Sequence, residues 1–141
     1  MSIAFGTDEW AQALVAEVNG SSEYRNSAQK WGSDFNGNML FAFESDEALP
    51  DPVNLLIRLK EGTCQGAEFV SESTHDEAGF VLRAPFTLWR EILERKTLAA
   101  AAILKGKMKV DGGKMTLLKH TAANRVLIHC TASVETDFPG E

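Results

Sequence analysis

Hydrophobic positions along the chain change period several times, and each change marks an element. Between Thr7 and Asn19, Trp10, Leu14 and Val18 recur at helical spacing behind a capping threonine and two early acids, and Gly20 supplies the stop. A second helical stripe, Tyr24, Ala28 and Trp31, follows a cap at Ser21 or Ser22 and ends at Gly32. From Asn38 the period becomes two. Met39, Phe41 and Phe43 alternate with Leu40, Ala42 and Glu44, and after the turn signals of SDEALPDP, Val53, Leu55, Ile57 and Leu59 alternate with Asn54, Leu56, Arg58 and Lys60. A turn over residues 62–66 leads to Ala67 and Phe69, and the polar loop STHDEAG leads to Phe80 and Leu82. These links predict a largely antiparallel sheet with one face covered.

Pro85 closes the alternation, and FTLWREILERK returns to helical period, with Phe86, Trp89 and Leu93 on one side and Leu88 and Ile92 beside them. Thr97 reads as the cap of a short run, LAAAAILK, that Gly106 ends. KMKV reads as a short strand, DGG as its turn, and 114–134 as one last helix with Met115, Leu118, Ala122 and Val126 inward. The closing ETDFPGE reads as a frayed tail over 135–141. No repeat or domain boundary interrupts the pattern, so the 141 residues are expected to form one α+β domain with an N-terminal helical pair over 1–31.

Composition narrows the function classes. A net charge of −6 argues against generic binding to nucleic acid. No run approaches the roughly 20 apolar residues of a membrane span, and acids rather than a basic segment precede the first apolar positions, so a soluble, cytoplasmic protein is expected. Cys64 and Cys130 stand far apart without a CxxC partner, which predicts free thiols and neither a zinc site nor a disulfide framework.

Candidate chemistry is sparse. The strip ILKGKMKVDGGKM resembles a phosphate loop only superficially: five residues separate Gly106 from Gly112, and Met115 follows Lys114 where a hydroxyl is required. Its glycines fit a helix end and a turn. His75 and Asp76 adjoin in a polar loop, as a solvated turn or an acid/base pair; His120 and His129 lack the i, i+4 spacing of a helical metal pair; Cys64 has no histidine at an interpretable spacing. No catalytic residue, metal or cofactor is assigned. The inward positions are instead large and soft: Met39, Phe41, Phe43, Phe69, Phe80, Leu82, Phe86, Trp89, Met108 and Met115. Periodicity gives their direction and leaves open whether they fill a core or wall a hollow.

From Trp10 to Val134 the chain resembles the sterol carrier protein 2 (SCP2) sterol-binding domain family, particularly its small stand-alone prokaryotic members. The resemblance is carried by APFTLWREILERKTLAAAAILKGKMKVDGGKMTLLK, with its W-x-x-[IL]-[IL] helix, alanine-rich turn and G-K-[LM]-K-[VI]-x-G strand, and more loosely by NLLIRLKEG. It implies a five-stranded, mostly antiparallel sheet with helices packed on one face, enclosing an apolar tunnel. It implies non-catalytic binding of an apolar lipid, such as a fatty acid, acyl-CoA, sterol or phospholipid, which many members of the family transfer between membranes. By the same resemblance Phe86, Trp89, Ile92, Leu93, Leu98, Ala102, Ile103, Met108 and Met115 border the tunnel. With the strand positions Met39, Phe41, Phe80 and Leu82 they make the candidate ligand-binding set. Lys105, Lys107 and Lys109 fall near a head-group or membrane-facing rim; alternating lysines on a short edge strand also discourage sheet-to-sheet aggregation. The C-terminal PGE does not resemble the peroxisomal S-K-L signal. Two other classes remain in view: a small enzyme or the detached accessory domain of an acyl-group or hydrolytic enzyme, using the loop at His75 and Asp76, and a partner-binding module that exposes Trp10, Tyr24 and Trp31 as a patch.

Overall fold

The computed structural model describes residues 2–70 and 77–139, so the His75 and Asp76 pair lies outside the described residues. A two-residue strand, β1 (Ile3–Ala4), precedes helix α1 (Asp8–Asn19). The Thr7 hydroxyl accepts from the Trp10 N–H at 3.2 Å, and Asp8 and Glu9 lie at the positive end of the helix dipole. Ser21 caps α2 (Ser22–Ser27) in the same way. The sequence pattern predicted that this helix continues to Trp31; it ends at Ser27, and turns carry Trp31 into the core, where its ring N–H donates to the Gly37 carbonyl at 2.8 Å.

Five strands form the main sheet: β2 (Met39–Glu44), β3 (Val53–Lys60), β4 (Thr63–Val70), β5 (Phe80–Pro85) and β6 (Lys109–Asp111), in the order β4-β3-β2-β5-β6. Neighbours are antiparallel except β2 and β5, which run parallel. The turn expected over 62–66 is tighter. Glu61 and Gly62, both at positive φ, make a two-residue hairpin, and β4 starts at Thr63 with a register irregularity opposite Arg58 and Leu59. A Cβ on Gly62 would stand 2.8 Å from the Arg25 carbonyl oxygen, so only glycine fits there.

The helices cover one face of the sheet, where Met39, Phe41, Phe43, Leu55, Ile57 and Leu82 meet Trp10, Leu14, Trp89 and Leu127 in the main core. The opposite face also carries a buried apolar cluster, Leu40, Ala42, Leu56 and Val81, against which Val70 and Ala78 pack. The helices cover one face as expected, and the other is apolar at its centre as well: β2 is the central strand, apolar on both faces, and MLFAF reads as a continuous run for that reason.

Helix α3 (Phe86–Leu93) starts behind Pro85, which has no capping side chain. Asp46, in the β2–β3 connection, supplies the cap: its Oδ2 accepts from the Thr87 N–H at 2.7 Å and from the Thr87 hydroxyl at 2.5 Å, and its Oδ1 accepts from the Ala48 N–H at 2.9 Å. These bonds, the Thr87 hydroxyl first, hold the Asp46 carboxyl below its ordinary pKa.

Helix α4 (Ala99–Leu104) has Leu98 rather than Thr97 at its N-cap; the Thr97 hydroxyl instead lies 3.2 Å from a Glu91 carboxylate oxygen and donates to it. The single helix predicted over 114–134 is two, α5 (Lys114–Lys119) and α6 (Thr121–Ser133), broken at His120. The apolar stripe restarts at the break. Leu117, Ala123, Val126 and Leu127 turn inward, and Met115, expected inward, is 71% exposed.

Strand β7 (Thr136–Asp137) pairs in parallel with β1, and Phe138 packs against Phe5 and Phe86 with the Arg90 guanidinium over its ring. The frayed tail expected over 135–141 is therefore tied to the N-terminus through Phe138. Two strand residues are too few to show a period, and their partners lie at the other end of the chain. Among the described residues no helix is long and apolar enough to cross a membrane.

Candidate functional site

Between the sheet and helices α3 to α6 the core is not filled. Met39 and Phe41 on β2 and Leu82 on β5 floor a cavity of about 200 Å³; Ile92, Ala99, Ala100, Ile103, Leu117 and Leu127 wall it. The hollow follows from the local sequence. Ala99 and Ala100 present only methyl groups to this space, while the larger Leu98, which precedes α4, and Leu104, its last residue, are 69% and 71% exposed. An engineered apolar cavity of about 150 Å³ takes one benzene, so 200 Å³ offers in proportion room for about eight carbon atoms.

The rim is polar and cationic. Thr121, Arg125 and His129 stand at successive i, i+4 positions along α6, all exposed, and Arg95 stands at the end of α3. Neither Arg95 nor Arg125 has an ion-pair partner among the described residues. Arg95 holds φ at +64°, where glycine is usual. The N–H of Lys96 reaches the Glu91 carbonyl at 2.8 Å and that of Arg95 reaches the Ile92 carbonyl at 3.0 Å, which is the Schellman closure of α3 with arginine at its left-handed position.

Of the sequence-derived candidates, Met39, Phe41, Leu82, Ile92, Leu98 and Ile103 border the cavity. Phe80, Phe86, Trp89, Leu93, Ala102 and Met108 are buried without bordering it. Trp89 sits behind Phe41, ring centroids 4.8 Å apart, and its ring N–H donates to the Ala42 carbonyl at 2.9 Å. Phe80 belongs to a separate aromatic group with Trp31, Phe35 and His120. Lys105, Lys107 and Lys109 are exposed and do not border the cavity. The arginines at its rim were passed over: no pattern marks Arg95, and for Arg125 the one available signal was its i, i+4 spacing with Thr121 and His129 on α6.

The other candidates disperse. Cys64 is buried, its Sγ 3.5 Å from the Gly66 carbonyl oxygen, and burial pushes its thiol pKa up, the reverse of what a nucleophile needs. Trp10, Tyr24 and Trp31 do not form the exposed patch that a partner-binding module required: none is more than 1% exposed. All three are packed into the main core. Among the described residues no three His, Cys, Asp or Glu gather as a metal site.

No family model matches the chain, and no curated protein matches it in sequence. Solved structures do. A crystal structure of sterol carrier protein 2 is 28% identical with a TM-score of 0.79, over 92% of this chain and 98% of that one. A conserved hypothetical protein of Thermus thermophilus, described as possibly a sterol carrier protein, is 27% identical with a TM-score of 0.78, over 100% of this chain and 97% of that one. The chain has an SCP2-like fold. At 14% identity and a TM-score of 0.55, the apo sterol carrier protein 2 of Yarrowia lipolytica shares the SCP2 fold across 86% of this chain and 88% of its own.

Proposed function

We propose that the protein binds a single-chain lipid with an anionic head group, its tail in the cavity and its head at Arg95, Arg125 and His129, and that it carries this ligand without catalysis. The observation that supports the reading most is the apolar cavity itself: a 200 Å³ void floored by Met39, Phe41 and Leu82 has no place in a core packed for stability alone. Burying about eight methylenes at ~0.8 kcal/mol each gives roughly 6 kcal/mol gross. Ordering and immobilisation offset several kcal/mol of that. A charge-assisted contact to one guanidinium returns about 1.5–3 kcal/mol, so micromolar affinity is the expected net result. Selectivity then comes from the head group more than from the tail, since a methyl-lined wall discriminates chain length only at about 0.8 kcal/mol per carbon.

The similarity to sterol carrier proteins supports a lipid ligand in general terms, and the implied tunnel corresponds to this cavity in the proposal. Native mass spectrometry of the purified chain, followed by organic extraction, tests for an endogenous lipid. Titration with dodecanoate and with dodecanol then tests the head-group assignment. Dodecanoate should bind at least tenfold tighter than dodecanol, and the gap should close in the Arg95→Gln/Arg125→Gln double variant. Failure of dodecanoate to bind ends the proposal; equal binding of the two removes the cationic rim from it.

A further inference from the structure

The apolar cavity does not end at its rim. Arg95 and His129 also line a second hollow, an open groove of about 350 Å³ on the neighbouring side of α6. His129 and Ser133, one turn apart, form its α6 wall with Cys130 beside them, and Glu17, Ser21 and Glu23 face them from the corner between α1 and α2. Where the cavity is lined by methyl groups, the groove carries charge of both signs. Glu17 and Glu23 are exposed and, among the described residues, make no ion pair with Arg95 or with any other cation. Burial first, and then the charges of Glu17 and Glu23, push the Cys130 thiol pKa up against a hydrogen bond with Ser21, so both carboxylates bear on one point of the groove floor. The Ser133 hydroxyl donates to the His129 carbonyl at 2.9 Å, which leaves its oxygen to accept.

We infer, resting on the lipid-binding reading above, that this groove is an ammonium subsite: the ligand carries, on a short arm beyond the anion held at Arg95, a primary ammonium that docks between Glu17 and Glu23. Were the two acids there to neutralise Arg95 they would pair with it, and the structure keeps them apart. A bare carboxylate at Arg95 is therefore only half matched. It stands in the field of Glu17 and Glu23, and a like charge across a site counts against a ligand as an opposite one counts for it. An ammonium beyond the anion turns that repulsion into attraction, and its three donors meet two carboxylates and the Ser133 oxygen. The space suffices for the arm: about 150 Å³ encloses a benzene ring, and the groove offers more than twice that. Two kinds of single-chain lipid share this chemistry, an N-acylated basic amino acid, whose anion is a carboxylate, and a lysophosphatidylethanolamine, whose anion is a phosphate.

The test is calorimetric titration of the full chain with Nα-dodecanoyl-lysine and with Nα-dodecanoyl-norleucine, which share tail, carboxylate and butyl arm and differ in the terminal ammonium. One exposed carboxylate contributes up to about fivefold and two up to about thirtyfold. The lysine compound should accordingly bind about five- to thirtyfold tighter at low salt, and the gap should narrow as salt rises to about 0.5 M. In Glu17→Gln/Glu23→Gln, at two exposed helix positions, the ratio of the two affinities should fall to about one; in Glu17→Lys/Glu23→Lys it should invert. Dodecanoyl lysophosphatidylethanolamine, titrated into wild type and the glutamine variant, separates the two sources: the compound that loses more affinity in the variant is the one whose arm spans from Arg95 to the acids. Equal wild-type binding of the lysine and norleucine compounds overturns the assignment, and so does a preference that survives in Glu17→Gln/Glu23→Gln. Dodecanoate, which has no arm, separates this failure from that of the lipid reading. If it binds while the ammonium adds nothing, the groove alone loses its role; if it does not bind, the lipid itself is removed.

Discussion

Ala100→Phe separates a hollow interior from a filled one. Ala100 offers the cavity a single methyl group from α4, and phenylalanine adds the equivalent of one benzene, about 150 Å³, to a space of 200 Å³. A bound tail loses room for about six of its eight buried carbons, close to 5 kcal/mol gross at ~0.8 kcal/mol per methylene. Shifts of the tail toward the rim and of the short helix recover part of this, leaving a net loss of about 2 to 3 kcal/mol, or roughly 30- to 150-fold in affinity. Stability moves the other way. A ring that fills an apolar void gains the contacts the void lacks, and cavity filling commonly adds about 0.5–2 kcal/mol; in a core already full the same change overpacks and costs about 1–3 kcal/mol. Thermal unfolding and calorimetric titration with dodecanoate therefore read opposite signs in one variant. Leu82→Phe is the companion, because Leu82 is only 4% exposed on the sheet floor and its replacement has no route to solvent. A melting temperature that falls by several degrees in both variants refutes the hollow, and an affinity unchanged in both refutes its occupancy by the ligand.

Trp89→Ala should cost about 3–5 kcal/mol in chemical denaturation, because the ring is buried between Phe41 and Phe43 and its N–H satisfies the Ala42 carbonyl; a loss below about 1 kcal/mol would mean that the ring stands in a void instead. Arg95→Gly relieves a left-handed residue that costs about 1–2 kcal/mol, set against the extra chain entropy of glycine, so the melting temperature should stay level or rise while dodecanoate binding weakens and dodecanol binding does not. A simultaneous fall in stability and in binding of both compounds would mark Arg95 as merely structural. Asp46→Ala should cost about 1 kcal/mol, as loss of the α3 cap. Since the folded state lowers the Asp46 pKa, its contribution is complete above the ordinary carboxylate range near pH 4 and is lost as pH falls through the lowered value; the stability gap between wild type and Asp46→Ala should shrink in acid and stay constant above about pH 5.

The parts of the fold legible in the sequence are those fixed by local physics. Thr7 and Ser21 cap helices where their hydroxyls and the following acids indicated, and the alternation of β2, β3 and β5 gave the inward faces correctly because Met39, Phe41, Phe43, Leu55, Ile57 and Leu82 all point toward the helices. What was missed depends on partners distant in the chain. The β1–β7 pair joins the two ends, the cap of α3 comes from Asp46 some 40 residues earlier, and the break at His120 lets α5 and α6 follow separate axes. Met115 was misplaced for the last of these reasons. The cavity was half legible: its floor followed from strand alternation, whereas Trp89, Phe86 and Phe80 share that direction and pack solidly. A period of 2 or 3.6 reports the face of an element and is silent on whether opposing side chains meet.

Volume, not direction, distinguishes the two ends of the helix-covered layer. At one end Phe5 lies within 5.6 Å, centroid to centroid, of Trp10, Phe43, Phe69 and Phe86, and rings occupy the space between sheet and helices. At the other, the wall above Met39, Phe41 and Leu82 is built partly from alanines, and the separation set by the aromatic end leaves a gap that methyl groups do not span. The fold holds the gap open because its anchors lie elsewhere: the Trp89 ring on Phe41 and Phe43, the Asp46 cap on α3, the terminal strand pair. Helix α4 has none of these. It is six residues long, lacks a side-chain cap, and keeps Leu98 and Leu104 at its two ends largely in solvent, so it is the wall with least to lose on moving. A cavity closed on one side by such a helix, and rimmed by Arg95 and Arg125, combines the two properties that the proposed lipid carriage requires: a hollow held open by anchors elsewhere in the fold, and a wall with few contacts to break when a ligand enters or leaves.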